Sequence, residues 1–139
     1  MRFWDSSAIF PLAVREPQTD RVVRLLEGDP EVAVWWSSRL ECWSALAQLR
    51  RSQVIDLTGE RQARELFDTL FSEWSEIQPS DELRRLAGSL LFRHALRAGD
   101  AQQLAAAITA AGVPPRVPLV TLDERLADAA AREGFEILR

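Results

Sequence analysis

The stretch Glu31-Val32-Ala33-Val34-Trp35-Trp36, followed by Ser37-Ser38, decides the fold. Val32 to Trp36 are apolar without interruption, so the segment offers no polar face. A strand with one wet face alternates apolar and polar side chains. A run apolar on both faces is what a parallel sheet covered by helices on two sides requires. Upstream, Arg2 to Trp4 reads as a short buried strand ending at Asp5, and Ser6-Ser7 opens a helical stretch from Ala8 to Val14, disturbed by Pro11. Pro17 suits the first turn of a helix that runs to about Leu26, before Gly28. Downstream, Ser37 or Ser38 caps a helix through about Arg51. Thr58 caps another, with Ala63, Leu66, Phe67, Leu70, Phe71 and Trp74 at helical spacing.

The remaining part of the chain repeats the alternation. Glu76 to Gln78 is a brief strand, and Ser80-Asp81-Glu82 is the acid-rich start of a helix reaching roughly Leu96. Gly99 interrupts, Asp100 opens a helix of small residues to Ala111, and Gly112 ends it. Pro118 to Leu122 is a strand, Glu124 to Glu133 a helix, and Phe135 to Leu138 a last strand. Short apolar strands alternating with helices predict an α/β domain with a mainly parallel sheet. No repeat, linker or low-complexity segment divides the 139 residues, which suit a single domain.

Composition limits the function. Seventeen basic residues against 21 acids leave a net charge of −4, so no broad basic face grips nucleic acid by charge alone. Every basic residue is an arginine, a compositional bias that leaves Arg50-Arg51, Arg84-Arg85 and the Arg93/Arg97 pair as local phosphate-binding candidates. The single cysteine, Cys42, excludes an internal disulfide and cysteine-based clusters. The single histidine, His94, excludes a multi-histidine metal centre. Met1 to Asp5 carries charge at once, and no apolar run approaches the roughly 20 residues of a membrane span, so a cytoplasmic protein is expected.

Ligands of open α/β sheets bind outside the carboxyl ends of the strands. Asp5 directly follows the first strand, Asp123 follows Val120-Thr121-Leu122, and Glu41 lies near the start of the helix after Trp36. Asp100 shares a helical stripe with Leu104 and Ile108, and an acid on an apolar stripe must be neutral, paired or bound to a metal. Asp5 and Asp123 each also stand where a helix N-cap belongs. Taken singly, none of the four decides a function.

Together they carry a resemblance. Arg93-His94-Ala95-Leu96-Arg97-Ala98-Gly99-Asp100-Ala101-Gln102-Gln103-Leu104 resembles the third acidic motif of PIN-domain ribonucleases. Phe3-Trp4-Asp5-Ser6-Ser7-Ala8 is similar to their opening strand and first acid, Glu41-Cys42-Trp43-Ser44-Ala45-Leu46-Ala47 to the second, and Leu119-Val120-Thr121-Leu122-Asp123-Glu124-Arg125-Leu126 to the fourth. Order, spacing and length resemble the VapC-type toxins of bacterial toxin–antitoxin pairs, with Gly99 a departure where a helix former is usual.

The resemblance implies a PIN-like (Rossmann-like) α/β/α sandwich. It implies an endoribonuclease dependent on Mg²⁺ or Mn²⁺, a homodimer, and a cognate antitoxin that covers the acidic groove. Asp5 and Asp100 are then the principal metal ligands, with Glu41 and Asp123 completing the catalytic set. Carboxylate oxygens are hard ligands that suit these ions, whereas zinc favours histidine and cysteine. Ser7 and Thr121 are supporting hydroxyls, with turn and cap roles as their plain alternative. Arg97 is a phosphate-binding candidate, while His94 reads as a packing or capping residue. Of the five tryptophans most belong to the core, and an exposed one would serve RNA bases or a partner surface. Two rivals stand beside this reading: a catalytically silent PIN-like RNA- or protein-binding module, and a receiver-like domain, which would want a late lysine. A DNA-directed nuclease also fits the acids, which meet a phosphodiester and not the sugar.

Overall fold

A computed structural model describes all residues from Met1 to Arg139. Five parallel strands form one sheet: β1 (Arg2–Trp4), β2 (Val32–Trp35), β3 (Ser75–Ile77), β4 (Leu119–Val120) and β5 (Ile137–Leu138), in the order β3-β2-β1-β4-β5. Helices α1 (Ser6–Ala13) and α2 (Thr19–Gly28) lead from β1 to β2, and α3 (Ser38–Arg51) and α4 (Leu57–Glu73) from β2 to β3. Helices α5 (Asp81–Arg93) and α6 (Ala98–Ala111) return the chain to β4, and α7 (Glu124–Arg132) precedes β5. No helix is long and apolar enough to cross a membrane.

The uninterrupted apolar run works as its pattern requires. Val32 and Val34 turn to one face, with Trp4 and Val120, against Ile9, Val22, Leu46, Phe67 and Phe71 of α1 to α4. Ala33 and Trp35 turn to the other, with Phe3 and Leu119, against Leu90, the alanine stripe of α6, and Leu126. Phe3 and Trp4 are both fully buried, on opposite faces. Truncating either to alanine would cost about 3–5 kcal/mol. The small side chains of α6, Ala101 and Ala105 to Ala107, let that helix lie close to the sheet.

Several boundaries differ from the sequence expectation for local reasons. Asp56, not Thr58, caps α4, accepting from Gly59 N at 2.8 Å. Helix α1 starts two residues earlier, at Ser6, and runs through Pro11 as expected, while Thr19 opens α2 after a turn at Pro17-Gln18, which leaves Pro17 outside the helix. Helix α5 stops at Arg93, three residues before Leu96, with buried His94 as its C-cap. Gly99 does not break the chain: α6 begins at Ala98, with Arg97 at the N-cap and Asp100 in the first turn. Gly112 closes α6 at φ +76°, a conformation that favours glycine. The expected strand Pro118 to Leu122 pairs only at Leu119 and Val120, which frees Thr121 to Asp123 for the edge of the sheet.

Candidate acidic metal centre

Strand order sets the site. Beyond β1, the chain enters α1 on one face of the sheet; beyond β4, it enters α7 on the other. The crevice between the carboxyl ends of β1 and β4 is the place where this topology seats ligands. Asp5 and Thr121 both stand there, and Asp5 N donates to Val120 O at 3.0 Å.

Asp5 is 4% exposed, and its two oxygens have different surroundings. Oδ2 accepts from the Ser7 hydroxyl, from Ser7 N at 3.2 Å and from the Thr121 hydroxyl at 2.9 Å. Oδ1 has only a long 3.4 Å contact with Ser6. Burial is the largest influence on this carboxyl and pushes it up to about 6, against the lowering effect of Ser7 and Thr121. The nearby Glu41 charge adds to the rise.

Ser7 and Thr121 do more than cap. The Ser7 hydroxyl accepts from Leu122 N at 2.9 Å, and Thr121 Oγ1 accepts from Asp123 N at 3.1 Å. They tie α1 to the segment after β4 and fix Asp5 and Asp123 in one frame. Asp123 caps α7 through Oδ1, which accepts from Leu126 N at 2.8 Å, and leaves Oδ2 without a protein partner. Asp100 reaches back to Arg97 N through Oδ2 at 3.4 Å and leaves Oδ1 without one. Partial burial, then the charges of Asp123 and Glu41, raise the Asp100 carboxyl. The cap reading of Asp5 and Asp123 is therefore correct, and it occupies one oxygen of each.

Glu41 differs. Ser6 donates to its Oε2 at 2.6 Å, Gln103 to the same atom at 3.0 Å, and Ser37 to Oε1 at 2.8 Å. Ser37 holds the N-cap position of α3, yet its hydroxyl serves Glu41 and caps nothing. Gln103 is 1% exposed and also donates to Ser38 at 3.0 Å, so one buried amide joins α6 to the start of α3.

The acids fall into two halves. Ser6, Ser7 and Glu41 share an open pocket of about 380 Å³ with Glu16 and Cys42, among others. Asp100 and Asp123 share another of about 450 Å³ with Arg97, Glu124 and Arg125. As the side chains stand, no three acids form a cage for one ion. The donor chemistry nonetheless fits a hard divalent cation. Every donor is oxygen; Asp100 and Asp123 each keep one oxygen without a protein partner, and Asp5 Oδ1 has only the long Ser6 contact.

The sequence pattern did not flag Ser6, Ser37, Gln103 or Arg125. Gln103 carried a readable signal only in part: it sits at i−4 from Ala107 on the small-residue face of α6, but beside a second amide, Gln102. His94 is held at 2.6 Å from Glu133, away from the acids, in a packing role. Trp4 and Trp35 are core residues, and Cys42 is buried, with burial pushing its thiol up.

The family model of the PIN domain matches residues 2–132. No curated protein sequence matches the chain. Among solved structures, VapC20 of Mycobacterium tuberculosis, described as a toxin that cleaves the sarcin–ricin loop, superposes with a TM-score of 0.71 at 20% identity. That alignment covers 100% of this chain and 99% of the other. A toxin–antitoxin complex from Klebsiella pneumoniae gives 0.66 at 17% identity, covering 100% and 97%. FitAcB of Neisseria gonorrhoeae gives 0.70 at 15% identity, covering 100% and 97%. At these identities the structural likeness speaks for the fold. With the family match over nearly the whole chain, the α/β/α sandwich and its acidic edge have one conclusion: the chain belongs to the PIN domain family.

Proposed function

We propose that this protein is a Mg²⁺- or Mn²⁺-dependent endoribonuclease, the toxin of a toxin–antitoxin pair, acting in the cytoplasm as a homodimer and restrained by a cognate antitoxin. One observation carries the reading: Thr121 binds Asp5 and Asp123 into one frame at the carboxyl edge of the sheet, and Asp100, from a remote segment, shares a pocket with Asp123. The structural neighbours named as toxins or toxin–antitoxin complexes support it. Their PIN fold is the one found here.

A divalent ion at this edge would lower the pKa of its water and stabilise charge on the scissile phosphate. The chain's own residues do the positioning. Asp5 and Asp100 are the main ligands, and Glu41 and Asp123 complete the set. Ser7 and Thr121 hold the Asp5 carboxylate in one orientation, which spares it that ordering cost when the ion binds. Arg97 and Arg125 flank Asp100 and Asp123 and would meet strand phosphates on that side. An arginine presented by the antitoxin would pair with the same carboxylates and compete with the ion.

One observation favours a second reading. Glu41 has both oxygens engaged by Ser6, Ser37 and Gln103, the arrangement expected of a catalytically silent PIN-like module that binds RNA or protein. Incubating antitoxin-free protein with transfer and ribosomal RNA, with Mn²⁺ or Mg²⁺ against chelator, separates the two. Discrete products that require metal and vanish in folded Asp5→Asn and Asp100→Asn support the nuclease. Equal cutting by parent and variants points to a contaminant and removes the assignment. A matching DNA panel separates the two phosphodiester substrates.

A further inference from the structure

We propose that the cavity beside the acidic edge, between the end of β2 and helices α5 and α6, seats one unpaired nucleobase of the RNA strand, stacked on Trp36. The proposal rests on the nuclease reading above and assigns that enzyme a base-recognition subsite. The cavity has a volume of about 650 Å³, within the usual range for ligand pockets. Trp36 lines it and is 52% exposed, directly after a strand whose four residues are all buried. It is a large aromatic left half in water directly beyond the carboxyl end of β2.

The rest of the wall supplies polar groups around this ring. Trp35 forms part of the same wall and is only 4% exposed; its indole Nε1, like those of Trp4 and Trp43, is buried with no hydrogen-bond partner. Gln102, also on the wall, makes no side-chain hydrogen bond within the protein and offers both a donor and an acceptor. A flat apolar face with a polar edge describes a nucleobase, which single-strand readers stack on aromatic rings and bond along its edge. Arg84 stands in the lining, tied only to Asp81 at 3.4 Å and exposed, where a backbone phosphate can meet it.

Continuity with the acids fixes which base this is. Ser37 lines the cavity, and its hydroxyl donates to Glu41 at 2.8 Å. Ala98 lines it too, and opens the helix whose first turn carries Asp100. The base seated on Trp36 is therefore a near neighbour of the phosphate held at the acids, and the cavity sets sequence preference beside the cut.

The test uses the Asp100→Asn background, which blocks cutting, and single-stranded RNA oligonucleotides carrying 2-aminopurine. Trp36→Ala, Trp36→Phe and Gly88→Leu are compared with that background. Gly88 lines the cavity on α5, and a Cβ there meets nothing within 4 Å, so a side chain at this position starts into open space. We expect Trp36→Ala to weaken binding about tenfold or more and to abolish 2-aminopurine quenching, with Trp36→Phe retaining most of both. Gly88→Leu should match the alanine loss while unfolding at the same or higher urea. In the active protein, Trp36→Ala should flatten base preference next to the cut. Unchanged binding and quenching in Trp36→Ala and Gly88→Leu, with metal-dependent cutting intact, overturns the subsite and leaves the nuclease. A change in sedimentation with unchanged RNA binding gives this face to a second copy and equally overturns it. Failure of the unmutated protein both to bind and to cut any RNA removes the nuclease reading, and the subsite with it.

Discussion

Thr121 donates its hydroxyl to Asp5 Oδ2 at 2.9 Å across 116 positions of sequence. The bond joins the ends of the two strands that flank the crevice, and Thr121 accepts in turn from Asp123 N. One fully buried hydroxyl thus sets two of the four acids. Thr121→Val keeps the shape and removes both bonds. We expect a stability loss of about 1–3 kcal/mol in urea titration. The Asp5 carboxyl should rise further, because the lost donor favoured its charged form, and the acidic limb of the metal-dependent cutting profile should move to higher pH. A variant whose limb stays in place would show that Thr121 does not orient Asp5.

Asp5 itself gives a stability prediction with a definite sign. Its carboxyl sits at about 6 in the fold against 3.8 as an ordinary aspartate, with burial the leading cause. Between those values the folded protein holds a proton that the unfolded chain has released, so stability falls as pH rises through the window. Below about 4 the penalty is absent; above about 6 it is complete. The gap of roughly two pKa units corresponds to about 3 kcal/mol as an upper bound. In chelator, Asp5→Asn should unfold at higher urea than the parent at pH 7, with the difference shrinking toward pH 4. A variant less stable than the parent at pH 7 would show that the buried charge is well compensated.

The fold was largely legible because its signals are local. Val32 to Trp36 announced a strand buried on both faces, and the spacing of Ala63, Phe67 and Phe71 announced α4. Errors fell where several local signals competed. Thr58 and Asp56 are both plausible caps, and only backbone geometry chooses Asp56. Gly99 reads as a breaker but occupies a first turn, where helical hydrogen bonding is least demanding. Asp5, Glu41 and Asp123 could be placed at one edge from the strand order alone, whereas Asp100 was readable only from the stripe it shares with Leu104 and Ile108. Their partners were not: Ser37, one turn before Glu41, read only as a helix cap, and Gln103 reaches Glu41 from α6 across 62 positions. Nor does sequence distinguish Trp35 from Trp36, adjacent residues of which one is core and the other half exposed.

Gly99 offers a test of how firmly Asp100 is held. It is the second residue of α6, its φ is not in the positive region, and an added Cβ would meet nothing within 4 Å. Gly99→Ala should therefore stabilise the protein by about 0.5–1 kcal/mol through helix propensity and a less flexible unfolded chain. The same change stiffens the turn carrying Asp100. Measured by thermal unfolding, a loss of stability in Gly99→Ala would mean that this turn needs a freedom only glycine supplies.

Metal binding can be read without turnover. An ion that binds the folded protein and not the unfolded chain stabilises it by mass action, by about 2.7 kcal/mol at a hundredfold excess over Kd. For a chain of this size that is a rise in Tm on the order of 5–10 °C. Mn²⁺ added at pH 7 should therefore raise the Tm of the parent, and chelator should reverse it. Asp5→Asn and Asp100→Asn should show little response, because each loses a principal ligand. Glu41→Gln should respond partially, since Glu41 is already engaged by Ser6, Ser37 and Gln103. Protons compete for the same oxygens, so lowering the pH from 7 to 5, through the raised carboxyl of Asp5, should shrink the parent's response. Equal shifts in the parent and both aspartate variants would place the ion elsewhere and dissolve the ligand assignment, whatever the protein cuts.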